Sequence, residues 1–114
     1  MESGCSWVPY WAGRMDEEWA KRGKVEAPLC KKKPSEYIKS DRIYLHAEDY
    51  EPWVGSTAEY LSPQVLYYAS DWPHWDSEFP KNIDDLARRK DLSYDQKKWL
   101  FAETAKRLYK LNGA

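Results

Sequence analysis

The sequence predicts an α/β fold built on a βαβ unit, and three observations carry that prediction. Two runs rich in β-formers, Arg42-Ile43-Tyr44-Leu45-His46-Ala47 and Val65-Leu66-Tyr67-Tyr68-Ala69-Ser70, are separated by a stretch long enough for one short helix. The second run is apolar on both faces, as a strand in a parallel sheet covered by helices must be. It then delivers an acid, Asp71, followed by Trp72-Pro73-His74-Trp75-Asp76. A carboxylate at the C-terminal tip of a buried strand stands where parallel α/β proteins do their chemistry, which makes Asp71 the leading candidate for a metal ligand or catalytic base.

The elements follow in order. Val8, Trp11, Met15 and Trp19 recur at spacings of three and four, predicting a helix from about Pro9 to Arg22 with Gly23 as its exit. The stretch from Gly23 to Asp41 has two prolines, the run Lys31-Lys32-Lys33 and no steady period, and reads as a connecting loop. No glycine-rich turn accompanies the lysines, so they read as solvated. After the first strand comes the acidic cluster Glu48-Asp49-Tyr50-Glu51-Pro52, then a short helix ending near Leu61, broken by Ser62-Pro63. A loop from Asp71 to Pro80 leads to a helix near Ile83 to Arg89. The last helix starts at Ser93, where Ser93-Tyr94-Asp95-Gln96 has capping-box spacing. Trp99, Leu100, Phe101, Ala105, Leu108 and Leu111 give that helix a wide apolar face, which needs a large surface to pack on.

Bulk properties narrow the function. With 114 residues and 42% hydrophobic content, the chain has room for one domain with a modest core. Eighteen basic against nineteen acidic residues leave a formal charge of −1, which offers no field to gather nucleic acid or an anionic membrane. No apolar run approaches the roughly 20 residues that span a bilayer, and the N-terminus lacks an export signal. Cys5 and Cys30 are isolated thiols without metal-site spacing. A cytoplasmic chain is expected. Aromatic residues reach 16%, with seven Trp and nine Tyr, so either the core is aromatic or a surface lacks its partner. Met1-Glu2-Ser3-Gly4-Cys5-Ser6 reads like a strand tip and its turn without the strand.

In this order the pieces resemble the C-terminal part of the metal-dependent amidohydrolases, in the branch of the aminocarboxymuconate-semialdehyde and resorcylate-type decarboxylases. Glu2-Ser3-Gly4-Cys5-Ser6-Trp7-Val8-Pro9 looks like the family's Glu-Gly-Gly-x-Gly-Trp-(apolar)-Pro turn after barrel strand six. Asp16 and Trp19 fall where the next helix often carries an Asp and a Trp. Pro34-Ser35-Glu36-Tyr37 looks like the segment before strand seven. Ser70-Asp71-Trp72-Pro73-His74-Trp75-Asp76 is close to the motif after strand eight, and Thr104-Ala105-Lys106-Arg107-Leu108-Tyr109 resembles the closing helix. The resemblance covers essentially the whole chain.

It implies a single partial domain over residues 1–114, the last two complete strands of a (β/α)8 barrel that typically needs about 250 residues. The missing strands would carry the family's His-x-His ligands, which do not occur here. It further implies one divalent ion, commonly zinc, with Asp71 as its ligand and as a proton acceptor. The plainer reading of Asp71 is a turn cap. His74 would face the same pocket and bond a substrate carboxylate or a neighbouring acid; otherwise it pairs with Asp76 or Glu78. Trp72 and Trp75 would wall an aromatic substrate, or pack the loop onto the barrel rim. Glu2 falls where the decarboxylase branch carries a histidine and another branch a glutamate, although its terminal position argues against a working role. His46 reads as a packed histidine. Glu48 and Asp49 lie at the correct end for substrate contact but read as solvated. Glu103 stands where the family usually has Asn, so any bond made by that amide is lost.

The expected function is thus the C-terminal segment of a metal-dependent hydrolase or non-oxidative decarboxylase, inactive alone, acting on a small aromatic or carboxylated acid. The alternatives are a stand-alone interaction or scaffold module, whose aromatic surface binds a partner or a second copy, and an aromatic ligand-binding protein without catalysis.

Overall fold

The computed structural model describes residues 3–111. Helix α1 spans Val8–Glu26, with Pro9 inside its first turn, where a missing amide proton costs nothing. Its solvent side is laced at three- and four-residue spacing by Arg14 with Glu17 and Glu18, Lys21 with Glu17, and Arg22 with Glu18 and Glu26. Gly23 does not end this helix. It lies buried within it under the indole of Trp19, where a Cβ would stand 2.4 Å from Trp19 Cδ1.

The predicted loop after α1 contains a second helix, α2 (Pro34–Ile38). Its start is fixed from a distance, since the Asp16 carboxylate on α1 accepts from the Ser35 amide at 2.9 Å and the Ser35 hydroxyl at 2.7 Å. A cap supplied by a residue nineteen positions away leaves no local sequence signal. Lys31, Lys32 and Lys33 are exposed, as expected.

The βαβ unit is present. Strand β1 (Leu45–His46), helix α3 (Val54–Tyr60), a 3-10 turn (Pro63–Val65) and strand β2 (Leu66–Tyr67) follow in turn, and the strands pair in parallel as Leu45 with Leu66 and His46 with Tyr67. Both strands are shorter than the β-rich runs predicted. The Ala47 amide still reaches the Tyr67 carbonyl at 3.1 Å, but the next residue turns to the other side, where the Tyr68 amide donates to the Leu100 carbonyl at 2.8 Å. The outer side of the chain after β2 is thus met by the carbonyl of a later helix.

Helix α4 (Lys81–Arg88) is tied to the sheet by the Tyr68 hydroxyl, which donates to Asn82 Oδ1 at 3.0 Å. The last helical stretch begins as α5 (Tyr94–Lys98), widens to a π segment (Trp99–Glu103) and returns to α form in α6 (Thr104–Leu108). The capping box forms as predicted: Ser93 Oγ accepts from the Gln96 amide at 3.2 Å, and Gln96 Oε1 accepts from the Ser93 amide at 2.8 Å. Within the π segment the Thr104 amide reaches Trp99, which leaves the Leu100 carbonyl for Tyr68.

Leu66 of β2, Val54 of α3, Leu86 of α4 and Leu100 of the π segment are almost wholly buried and join Val8 and Val65 in one cluster. Each such side chain stabilises the fold by roughly 1.5–3 kcal/mol. The rest of the apolar surface is poorly covered. Trp7, Trp11, Trp53, Trp72 and Trp75 are exposed, as are Met15 on the predicted inner face of α1 and Leu111 beyond α6. Tyr67 of β2 is only partly covered, so the strand read as buried on both faces is open on one. The accessible area of 7908 Å² exceeds the about 6,500 Å² expected of a compact monomer of this mass. The radius of gyration, 15.7 Å, likewise exceeds the about 13 Å expected of a self-contained domain of this length. Among the described residues no helix is long and apolar enough to cross a membrane.

Candidate functional site

Asp71 follows β2 at the C-terminal end of the parallel pair, and its φ of 54° turns the chain sharply out of the sheet. Aspartate tolerates that left-handed backbone better than most residues. The turn is closed by the His74 amide on the Asp71 carbonyl at 2.9 Å, and Ser77 Oγ returns to the Ser70 carbonyl at 2.7 Å. The carboxylate of Asp71 is directed elsewhere. Its Oδ2 lies 3.1 Å from His74 Nδ1, so these two predicted site residues meet.

This loop forms one wall of a cleft of about 740 Å³. Ser70, Asp71, His74, Trp75 and Asp76 line one side, and Glu48, Asp49 and Tyr50, from the turn after β1, line the other. Both walls are C-terminal extensions of parallel strands, so the βαβ unit itself brings them together. Trp75 borders the cleft but is 94% exposed, and Trp72 is 68% exposed and outside it. Neither ring packs the loop down. Glu2 lies outside the described residues. Glu103, in place of the family's Asn, pairs with Lys106 at 3.2 Å.

The acidic turn holds a residue that the sequence reading passed over. Glu51 is buried, and its carboxylate accepts from the amides of Cys5 and Ser6, each at 2.8 Å, and of Glu48 at 3.0 Å. Burial alone would push this carboxyl up, yet the three amide donors outweigh it and hold the group below its ordinary value. Gly4, at φ +59°, is the counterpart: a Cβ there would stand 2.3 Å from Glu51 Oε1. Arg89 closes the turn from below, donating to the carbonyls of Asp49 at 3.0 Å and Glu51 at 2.8 Å, and is itself held by Asp91. Glu51 therefore fastens the segment before α1 to the turn after β1. The only sequence sign is a third acid in one cluster, and nothing local marks which of the three turns inward.

Cys5 adds a thiol to this network, 3.5 Å from Glu51 Oε2, but burial, with the neighbouring carboxylate, pushes it far above the range in which a thiolate forms. It is a packed thiol, not a nucleophile. His46 is buried, as expected for a packed histidine.

Two groups of described residues bring ligand atoms within 4.8 Å of one another. In the first, Asp49, Glu78 and Asp85, the Lys81 ammonium lies 2.7 Å from Glu78 and 2.9 Å from Asp85 and already pairs with two of the three acids. The second is Asp71, His74 and Asp76, two carboxylates and an imidazole that face the cleft. This is a donor set suited to a divalent cation.

The sequence model of the amidohydrolase family matches residues 5–111. The chain belongs to the amidohydrolase family. No curated protein sequence matches it. Divalent metals are typical cofactors of amidohydrolases, and in this amidohydrolase chain the Asp71 group supplies oxygen and nitrogen donors of the right kind.

Proposed function

We propose that the chain forms strands seven and eight of an amidohydrolase (β/α)8 barrel, with β1 and β2 as those strands and Asp71 as the strand-eight ligand of a divalent ion, zinc being the first candidate. The single observation that carries the reading is the place of Asp71, four residues beyond the C-terminal end of a parallel strand and open to a cleft it shares with the turn after the neighbouring strand. Two strands leave a sheet unclosed, and the uncovered aromatic surface and excess accessible area support completion by further strands or by another chain. The chemistry is metal-dependent hydrolysis or non-oxidative decarboxylation of a small aromatic or carboxylated acid.

The residues divide the work as follows. A divalent ion, when bound, supplies Lewis-acid polarisation and lowers the pKa of water to about 7. Asp71 would be a ligand of such an ion, and its carboxylate could take a proton from the cleft. His74, 3.1 Å away, orients Asp71 and offers its ring to a substrate carboxylate. Trp75, on the rim, offers a face to an aromatic ring.

Calorimetric titration of the 114-residue chain with zinc tests the ligand count. Weak binding, lost in Asp71→Asn, or no binding at all is expected when the remaining ligands come from other strands. Tight stoichiometric binding would overturn the missing-ligand reading, and weak binding unchanged in Asp71→Asn would overturn the role of Asp71.

A further inference from the structure

His46 presents a proton-accounting problem whose answer concerns the cleft. The residue is the last of β1, its side chain is 3% exposed, and its ring is tilted against Tyr67 with centroids 6.0 Å apart. Nε2 lies 3.0 Å from the Ala69 carbonyl, and a carbonyl only accepts, so Nε2 carries a proton. Nδ1 lies 3.0 Å from Glu48 Oε1, and as the atoms stand it makes no hydrogen bond. If the imidazole is neutral and the carboxylate ionised, two lone pairs face each other in a buried place. That arrangement is costly, and one proton between them removes the cost.

We propose that His46 and Glu48 form a proton-holding dyad in the wall of the cleft, with Glu48 the end that exchanges protons with a substrate group opposite Asp71. The Ala69 carbonyl fixes the ring by Nε2, so Nδ1 is always the nitrogen presented to Glu48. One proton shared between Nδ1 and Oε1 leaves the pair neutral overall. A proton arriving from the cleft on Oε2 is matched by full transfer of the shared proton to Nδ1, which gives imidazolium and a neutral acid. Donation runs the same steps in reverse, so that proton count and charge balance at each stage. The substrate class follows: a group that gains or loses a proton as it reacts, such as a hydroxyl or a leaving heteroatom.

The surroundings suit the task. Burial pushes the Glu48 carboxyl up; the His46 ring opposes that, and Glu51, Asp49 and Asp71 add to it. The phenol of Tyr50 lies in the same field, its acidity weakened by burial and then by Glu48. Arg89, below, spends its guanidinium on the carbonyls of Asp49 and Glu51 and on Asp91. Glu48 is therefore flanked by acids, with His46 as its basic partner.

The exchange with substrate rests on the cleft being the active site, whereas the dyad is testable without metal or activity. Nitrogen-15 NMR of the imidazoles reads each ring nitrogen as protonated, bare or sharing, and with two histidines in the chain, His74→Asn leaves His46 alone in the spectrum. The expected result, from about pH 6 to about pH 8, is Nε2 protonated throughout and Nδ1 at an intermediate shift. In Glu48→Gln the amide donates to Nδ1, and the intermediate signal is replaced by that of a hydrogen-bonded bare nitrogen. A bare Nδ1 in the unsubstituted chain, or an intermediate shift that survives Glu48→Gln, would overturn the dyad. If that variant does not fold, the Glu48 carboxyl carbon in the unsubstituted chain decides: a shift between acid and carboxylate values that moves together with Nδ1 supports sharing, and independent titration refutes it. A dyad present in a chain that binds zinc tightly by itself, or binds it weakly and unchanged in Asp71→Asn, leaves this inference standing and sinks the proposed function alone.

Discussion

The two walls of the cleft carry similar acids and treat them in opposite ways. In the turn after β1, Glu51 is turned inward and saturated by three backbone amides, with Arg89 bracing the carbonyls around it. In the loop after β2, Asp71 and Asp76 are turned outward, and the loop is tied by its own backbone and by Ser77, so the Asp71 carboxylate is left for His74 and the cleft. A carboxylate that accepts several buried amides is structural, because moving it would strand each donor; one whose loop is held by other groups is available to a ligand. Position after a strand tip places an acid, and the fate of its lone pairs assigns its work.

The sharpest way to break this contrast is Glu51→Ala. It strands the amides of Cys5, Ser6 and Glu48, and a loss of about 3–5 kcal/mol is expected in urea unfolding. A loss below 1 kcal/mol would mean that water replaces the carboxylate freely. Gly4→Ala attacks the same clasp from the other side, through a left-handed backbone and a Cβ on Glu51 Oε1, and should cost about 2–3 kcal/mol. Added to Glu51→Ala it should cost clearly less, which a double-mutant cycle reads directly.

Acid acts on the clasp more gently. The Glu51 carboxyl is held below its ordinary 4.5, so its contribution is fully present above that value and is lost as pH falls through the lowered folded value. Thermal midpoints followed from neutral pH into acid should decline in that window, and the decline should be smaller in Glu51→Gln. On the other wall, Asp71→Asn should change stability by less than about 1 kcal/mol, since asparagine accepts the left-handed backbone, while abolishing whatever zinc binding the chain shows. Trp75→Ala, at a ring 94% exposed, should shift stability by no more than about 0.5 kcal/mol, and a larger loss would show that the ring has a partner in solution.

The parts legible in the sequence are those with local causes. The βαβ order and the capping box at Ser93 follow from neighbouring residues, and both are present, while Asp71 comes four residues after a strand that ends earlier than predicted. The parts that escaped depend on distant contacts. Helix α2 is started by Asp16 from α1, Gly23 is explained by the indole lying over it, and Glu51 turns inward because it meets amides forty-five and forty-six positions away. The exposed face of α1 escaped for another reason: periodicity reports which residues share a face, but it does not report whether anything covers them. His46 and Glu48 lie in between. The pattern of residues puts His46 within a strand and Glu48 just past its end, but the proposed sharing of a proton between them rests on the Ala69 carbonyl, which fixes which nitrogen faces the acid.

The widened turn near the chain's end has a consequence for assembly. By leaving the Leu100 carbonyl unpaired within its own helix and presenting it to the Tyr68 amide, the π segment plugs the outer side of β2 at the point where another chain would begin to add. An edge met by a helix at one amide is a poor template for indiscriminate strand addition, so a strand joins β2 only as that one bond is released. The widened turn thus acts as a latch on β2, closed while the piece stands alone and released when the sheet is completed.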